Sequence, residues 1–170
     1  MAERVILING LPGSGKSTLA SALADATGVP LMSKDALKEA LAVVAPRVPA
    51  AALGRAASET LWTLAAAVDG AVLLESWWFR PRDLEYARAG LLRAGAREVV
   101  EVWCDVPAEV ARERYVRRNR PAFYEDQRHL TESWPTWAAR AEPLALGAVV
   151  RVTTDGPVDV GALGRRLALT

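Results

Sequence analysis

Two apolar patterns alternate along this chain. The first is a set of short runs rich in β-branched residues and leucine: Val5–Ile8, Ala71–Leu74, Val99–Trp103 and Val149–Thr153. Such runs predict strands buried on both faces, and Pro30–Ser33 adds a brief extended piece. The second pattern has helical spacing, seen at Leu19, Ala22, Leu23 and Ala26 within 16–26. It returns over 36–45, an Ala-rich 50–68, 83–94, 105–119, 134–141 and 158–169. Gly28 with Pro30, Pro46 with Pro49, and Asp69-Gly70 supply the stops. Strands that alternate with helices predict an α/β fold of three layers, with a parallel sheet covered on both faces. Only 120–131 lacks clear periodicity.

Composition narrows the class. The 170 residues are 51% apolar and 24% charged, which fits one globular domain over 1–170. Lys plus Arg is 21 against 20 for Asp plus Glu, a net charge of +1, which argues against a protein whose task is to coat nucleic acid. Cys104 stands alone, so no intramolecular disulfide is expected. No apolar run approaches the 18 or so residues of a membrane span, and the chain enters its first strand pattern without a signal-peptide pattern. A cytoplasmic protein is the expectation. Among the basic residues only Lys16, Lys34 and Lys38 are lysines, which singles each of them out.

The most specific motif is Gly10-Leu11-Pro12-Gly13-Ser14-Gly15-Lys16-Ser17, followed by Thr18. It matches G-x-x-x-x-G-K-[ST] between a buried strand and an amphipathic helix. The glycines let successive N–H groups converge on phosphate oxygens, and the helix points its positive end at the same place. Lys16 then reaches the terminal phosphates and Ser17 ligates Mg²⁺. The motif predicts a nucleoside triphosphate with Mg²⁺ and leaves the phosphate acceptor open.

In a parallel sheet the ligand crevice lies beyond the carboxyl ends of the strands. Asp35, Glu75 and Asp105 sit at such ends. Glu75 occupies the place of an acid that holds Mg²⁺, directly or through water. Asp35 reads either as a helix N-cap or as a general base for an attacking hydroxyl. Asp105, before Val106-Pro107, reads as a helix start.

These residues carry a resemblance. Gly10 to Thr18, Ser33-Lys34-Asp35, and Asp105-Val106-Pro107 followed by Arg114 and Arg118 resemble the P-loop kinase group that contains polynucleotide 5′-kinases. The stretch 32–41 is similar to chloramphenicol phosphotransferase, a small-molecule kinase of the same superfamily. The resemblance implies a nucleoside-monophosphate-kinase-like sheet of order 2-3-1-4-5, with Asp35 as catalytic base. One departure concerns the acceptor: the Asp-Thr-Asn-like triplet of polynucleotide kinases is Glu75-Ser76-Trp77 here.

Six arginines fall between 112 and 128: Arg112, Arg114, Arg117, Arg118, Arg120 and Arg128. Arg114 and Arg118, four apart, would share a helix face, as a lid needs to set two guanidinium groups over a triphosphate. The segment 112–131 is the expected lid. Trp77, Trp78, Arg80 and Arg82 follow Glu75 and are expected on the acceptor side, together with Lys34 and Lys38. His129 reads as a surface residue, and Asp155-Gly156-Pro157 as a turn near the base of the nucleotide.

The sequence therefore predicts an ATP-dependent kinase acting on a hydroxyl of a small metabolite or natural product, of nucleoside or antibiotic type. Lys16 and the loop residues Gly10, Pro12, Gly13, Ser14, Gly15, Ser17 and Thr18 bind the nucleotide. Ser17 and Glu75 manage the metal, Asp35 activates the acceptor, and Arg114 with Arg118 close over the transition state. Polynucleotide 5′-hydroxyl kinase is the alternative acceptor reading. A nucleotide-dependent regulatory ATPase is the alternative of another class. No membrane partner is expected.

Overall fold

The structure is a computed structural model that describes residues 2–169. Five strands, β1 (Ala2–Asn9), β2 (Leu31–Ser33), β3 (Gly70–Glu75), β4 (Glu98–Asp105) and β5 (Ala148–Thr153), form one sheet of order β2-β3-β1-β4-β5. Every pairing is parallel, with Val5 level with Val72 on one side and Val99 on the other. The chain thus forms the α/β sheet and strand order that its pattern and its resemblance imply.

Successive strand residues point to opposite faces, and β1 is apolar on both. Val5 and Leu7 join Val72 and Leu74 beneath α3 (Ala50–Ala67) and α4 (Arg80–Ala94). Ile6 and Ile8 join Val100 and Val102 beneath α1 (Lys16–Thr27) and α8 (Val160–Arg166). On the first face Gly90 of α4 lies against Trp62 of α3. A Cβ there would stand 2.2 Å from the indole, so the small residue sets the helix spacing. A third cluster closes the carboxyl end of the sheet, where Leu11 and Phe79 pack with Tyr115, Trp134 and Trp137. Cys104 is buried at the end of β4, and burial pushes its thiol up to about 12. It is a packing residue.

Element ends differ from the periodicity where tertiary contacts decide them. Helix α5 (Ala108–Val116) stops before Asn119, which leaves Arg118 outside the helix. Its N-cap is Pro107 without a side-chain cap, while Asp105 pairs with Arg151 at 3.3 Å. Helix α4 begins at Arg80 rather than Asp83, because Asp83 reaches back to accept the Phe79 N–H at 2.8 Å. The non-periodic segment folds as a 3-10 turn (Ala122–Tyr124), α6 (Asp126–Arg128), a π-turn (His129–Ser133) and α7 (Trp134–Arg140). Helix α2 (Lys34–Val44) follows β2 directly. Among the described residues no helix is long and apolar enough to cross a membrane.

Candidate active site

The phosphate loop leaves β1 at Asn9, which is fully buried. Its Oδ1 accepts from the N–H groups of Gly10 (2.8 Å) and Trp78 (3.1 Å). Its Nδ2 donates to Trp78 O (3.1 Å) and to Glu101 Oε1 (2.8 Å). One amide thus fixes the start of the loop against the segment after β3. Glu101, also fully buried, accepts from Leu144 N (3.0 Å) and Ala145 N (2.9 Å), tying down the chain between α7 and β5. Within the loop Gly13 has φ +87°, and a Cβ there would stand 2.0 Å from Ala111 O of α5. Only glycine permits both the turn and the close approach.

Lys16 is 5% exposed and donates to Leu11 O at 2.9 Å. Burial pushes its ammonium below the usual lysine value. Thr154 Oγ1 donates to Ser14 O at 2.6 Å and braces the loop from the end of β5.

Glu75 ends β3 with 4% exposure. Ser17 Oγ donates to its Oε1 at 3.3 Å and Ser33 Oγ to its Oε2 at 2.6 Å. A buried carboxylate beside hydroxyl oxygens, with no cation bonded to it, is a hard-oxygen donor set. That set fits Mg²⁺, which takes one or two carboxylates plus phosphates and waters. Among the described residues no cluster of three His, Cys, Asp or Glu could hold a metal by itself.

Ser33 also caps α2 by accepting from Ala36 N at 3.5 Å. Capping therefore belongs to Ser33, and Asp35, at the second position of the helix, is free for another task. Its carboxylate, about half exposed, accepts from Arg120 Nη1 at 3.1 Å. Arg120 also holds Asp126 through Nε (2.9 Å) and Nη2 (2.5 Å), and its guanidinium lies 4.0 Å from the Tyr124 ring centroid and 5.3 Å from that of Tyr115. Tyr115 O–H donates to Asp126 at 2.6 Å and Tyr124 O–H to Glu39 at 2.9 Å. The segment after α5 is thus seated on Asp35 by Arg120. Sequence reasoning set Arg120 in the arginine segment without giving it a role and missed Tyr124 and Asp126, because no periodicity marks 120–131.

Asp35, Lys16, Ser17 and Glu75 line one cavity of about 170 Å³. Lys34 and Lys38 line it too, so all three lysines of an arginine-rich chain meet in one place. A second cavity, of about 570 Å³, runs past Gly13, Gly15 and Thr18 to the 155–157 turn. Arg114 borders it and donates to Thr154 O (2.9 Å) and Asp155 O (3.4 Å), while Arg118 borders both cavities. The two arginines therefore flank the loop from α5 and from the coil after it, not from one helix face.

On the expected acceptor side the four residues divide. Trp77 lines the first cavity and keeps a buried indole N–H without a partner, and Arg82 lines it while paired with Asp83 at 2.7 Å. Trp78 is 4% exposed in the core against Trp62, so it belongs to packing. Arg80 points away, pairing with Glu142 at 3.6 Å. His129 is not a plain surface residue: it lines the cavity with its ring 5.2 Å from Trp137.

A family model described as an AAA domain, AAA_33, matches residues 5–144. The chain belongs to that family. Solved structures agree on the fold of this AAA domain. A candidate kinase from Chloroflexus aurantiacus J-10-fl is 23% identical, covers 99% of this chain and 98% of its own, and has a TM-score of 0.75. A sugar kinase from Janibacter sp. HTCC2649 is 22% identical over 98% and 92% of the two chains, with a TM-score of 0.56. A shikimate kinase from Bacteroides thetaiotaomicron is 19% identical over 97% and 98%, with a TM-score of 0.55. At these identities the likeness establishes a P-loop kinase-like fold. A search of curated proteins finds no match.

Proposed function

We propose that this protein is an ATP-dependent kinase that transfers the γ-phosphoryl group to a hydroxyl of a small molecule. One observation carries the reading: Asp35 shares a cavity with Lys16, Ser17 and Glu75. A carboxylate on the far side of the phosphate loop has a role in a kinase that it lacks in a switch, namely to take the proton of an attacking alcohol. The named activities of the structural neighbours, on a sugar and on shikimate, favour small acceptors.

In this reading the acceptor oxygen forms a bond to the γ-phosphorus as the bond to the β–γ bridging oxygen breaks. The electron pair leaves on ADP and the hydroxyl proton passes to an Asp35 oxygen. Loop amides and Lys16 hold the phosphates, and Arg118 offsets charge on the group in transit. Arg114 keeps the 154–155 backbone against the nucleotide. Ser17 and Glu75 would hold Mg²⁺, which when bound supplies charge neutralisation on the phosphates. For Asp35 to accept a proton, Arg120 must release or share it, so nucleotide or acceptor binding is expected to redraw that ion pair.

The test is turnover of γ-labelled ATP against pools of sugars, nucleosides, aminoglycosides, hydroxy acids and 5′-hydroxyl oligonucleotides. Label in a small-molecule product supports the proposal. Label on oligonucleotide would make the acceptor a nucleic acid, and label only in inorganic phosphate would make the protein a nucleotide-dependent switch.

A further inference from the structure

Beside the cavity of Asp35 lies a larger groove of about 870 Å³, and the two share Lys34, Lys38, Gly54, Arg82, Tyr124 and His129. A volume of this size suits a small organic ligand. Its charge balance is uneven. Each carboxylate on its wall already has an arginine. Glu59 takes Arg93 at 2.8 Å and the Tyr86 O–H at 2.6 Å, Asp83 takes Arg82 at 2.7 Å, and Glu125 takes Arg128 at 3.5 Å. Asp35, at the shared edge, is held by Arg120. Three cations on the wall remain: among the described residues, Lys34, Lys38 and Arg55 have no carboxylate within ion-pair range.

The two lysines are also desolvated. Burial, reinforced by the neighbouring Arg82, pushes the Lys34 ammonium below its usual value, and burial does the same to Lys38. Lys38 Nζ lies over two rings, 4.6 Å from the Tyr124 centroid and 5.2 Å from that of Phe123. Clustered, partly buried ammonium groups repel one another; Asp35 and Asp83 offset this only in part, so an anion seated between the lysines would be favoured.

Gly54 adds an independent sign. It sits inside α3, where glycine is a poor helix former, yet a Cβ there would meet nothing closer than the Lys38 Cε at 4.0 Å. The fold does not require glycine at this position. A longer side chain would intrude on the groove beside Lys38.

We infer that the acceptor is a small anion, an alcohol bearing a carboxylate or phosphate that seats between Lys34 and Lys38 while its hydroxyl faces Asp35. The inference rests on the kinase reading above and names its substrate class. The rings of Phe123 and Tyr124, stacked at 4.7 Å, form the apolar wall for the rest of the molecule.

A microbial metabolite extract separated on an anion exchanger, each fraction offered with γ-labelled ATP, tests this directly. The expected result is a labelled product made from the retained fraction. With that acceptor in hand, Lys34→Met and Lys38→Met should each raise its KM by about tenfold or more, the loss typical of a charge-assisted contact. Gly54→Leu should abolish its use with no loss of thermal stability. Nucleotide affinity, measured separately with a fluorescent ATP analogue, should stay within about twofold for all three. An acceptor found only in the unretained fraction, or a KM unmoved by Lys34→Met, overturns the inference and leaves the kinase reading intact. Label appearing only in inorganic phosphate with every fraction overturns the kinase reading itself, and this inference with it.

Discussion

Asn9 and Glu101 show how a single side chain can carry the geometry of a loop several residues long. Glu101 accepts three hydrogen bonds in a fully buried place, from Asn9, Leu144 and Ala145. Glu101→Ala leaves two buried donors, of Asn9 and Leu144, and the part-buried Ala145 N–H unpaired, and each buried loss costs about 1–3 kcal/mol. A fall of about 3 kcal/mol or more is expected, roughly 6–12 °C in Tm for a chain of this size. Calorimetry giving a change under about 1 °C would contradict the assignment. The sequence contained a trace of this network, since an acid inside the run Val99–Trp103 has no place in a strand buried on both faces unless it is bonded there. What it could not reveal was the partner: Leu144 and Ala145 lie more than forty residues away in a segment with no pattern of its own. Asp35 was legible for the opposite reason, because a strand end followed by a helix start is a local signal. That Ser33 takes over the capping needed the structure.

The elements that the periodicity marks are the ones whose contacts are local. Helix α1, with Gly15 and Gly28 at its ends, needs no distant partner to be placed. The 117–131 segment is held instead by the distant contact of Arg120 with Asp35, while Arg120 with Asp126 ties the segment to itself. Arg120→Met should therefore loosen this segment alone. Limited proteolysis is expected to cleave within 117–131 several times faster than in the unaltered protein, while the unfolding transition of the sheet moves little. Equal cleavage would show that Arg120 does not hold the segment. The π-turn brings His129 into the same segment, and desolvation pushes its imidazole below the usual value of 6.5. A folded-state value below the unfolded one means that the folded form binds its proton less readily. The contribution of the neutral ring is complete above pH 6.5 and is lost as pH falls from there through the folded value. An NMR titration of the His129 ring should give a midpoint below 6.5. A midpoint at or above 6.5 would contradict the packing against Trp137.

For the molecule as a whole, the sheet places the ends of β1, β2 and β3 side by side, and the chemistry follows from what each delivers: the phosphate loop, Ser33 with Asp35, and Glu75. A site assembled this way is largely formed before ligand arrives. Binding should stabilise the fold by mass action, about 2.7 kcal/mol at one hundred times Kd, or roughly 5–10 °C. MgATP should produce that shift and Lys16→Ala should remove most of it. The absence of any shift at millimolar MgATP would argue against a nucleotide site. In the proposed reaction Asp35 serves transfer to an alcohol. Its most direct test follows the γ-label of ATP with an accepted substrate, in the unaltered protein and in Asp35→Asn, with nucleotide affinity measured in parallel. Asp35→Asn is expected to bind MgATP within about threefold of normal while transfer falls by about 100-fold or more. Transfer retained within a few-fold would remove Asp35 from the chemistry.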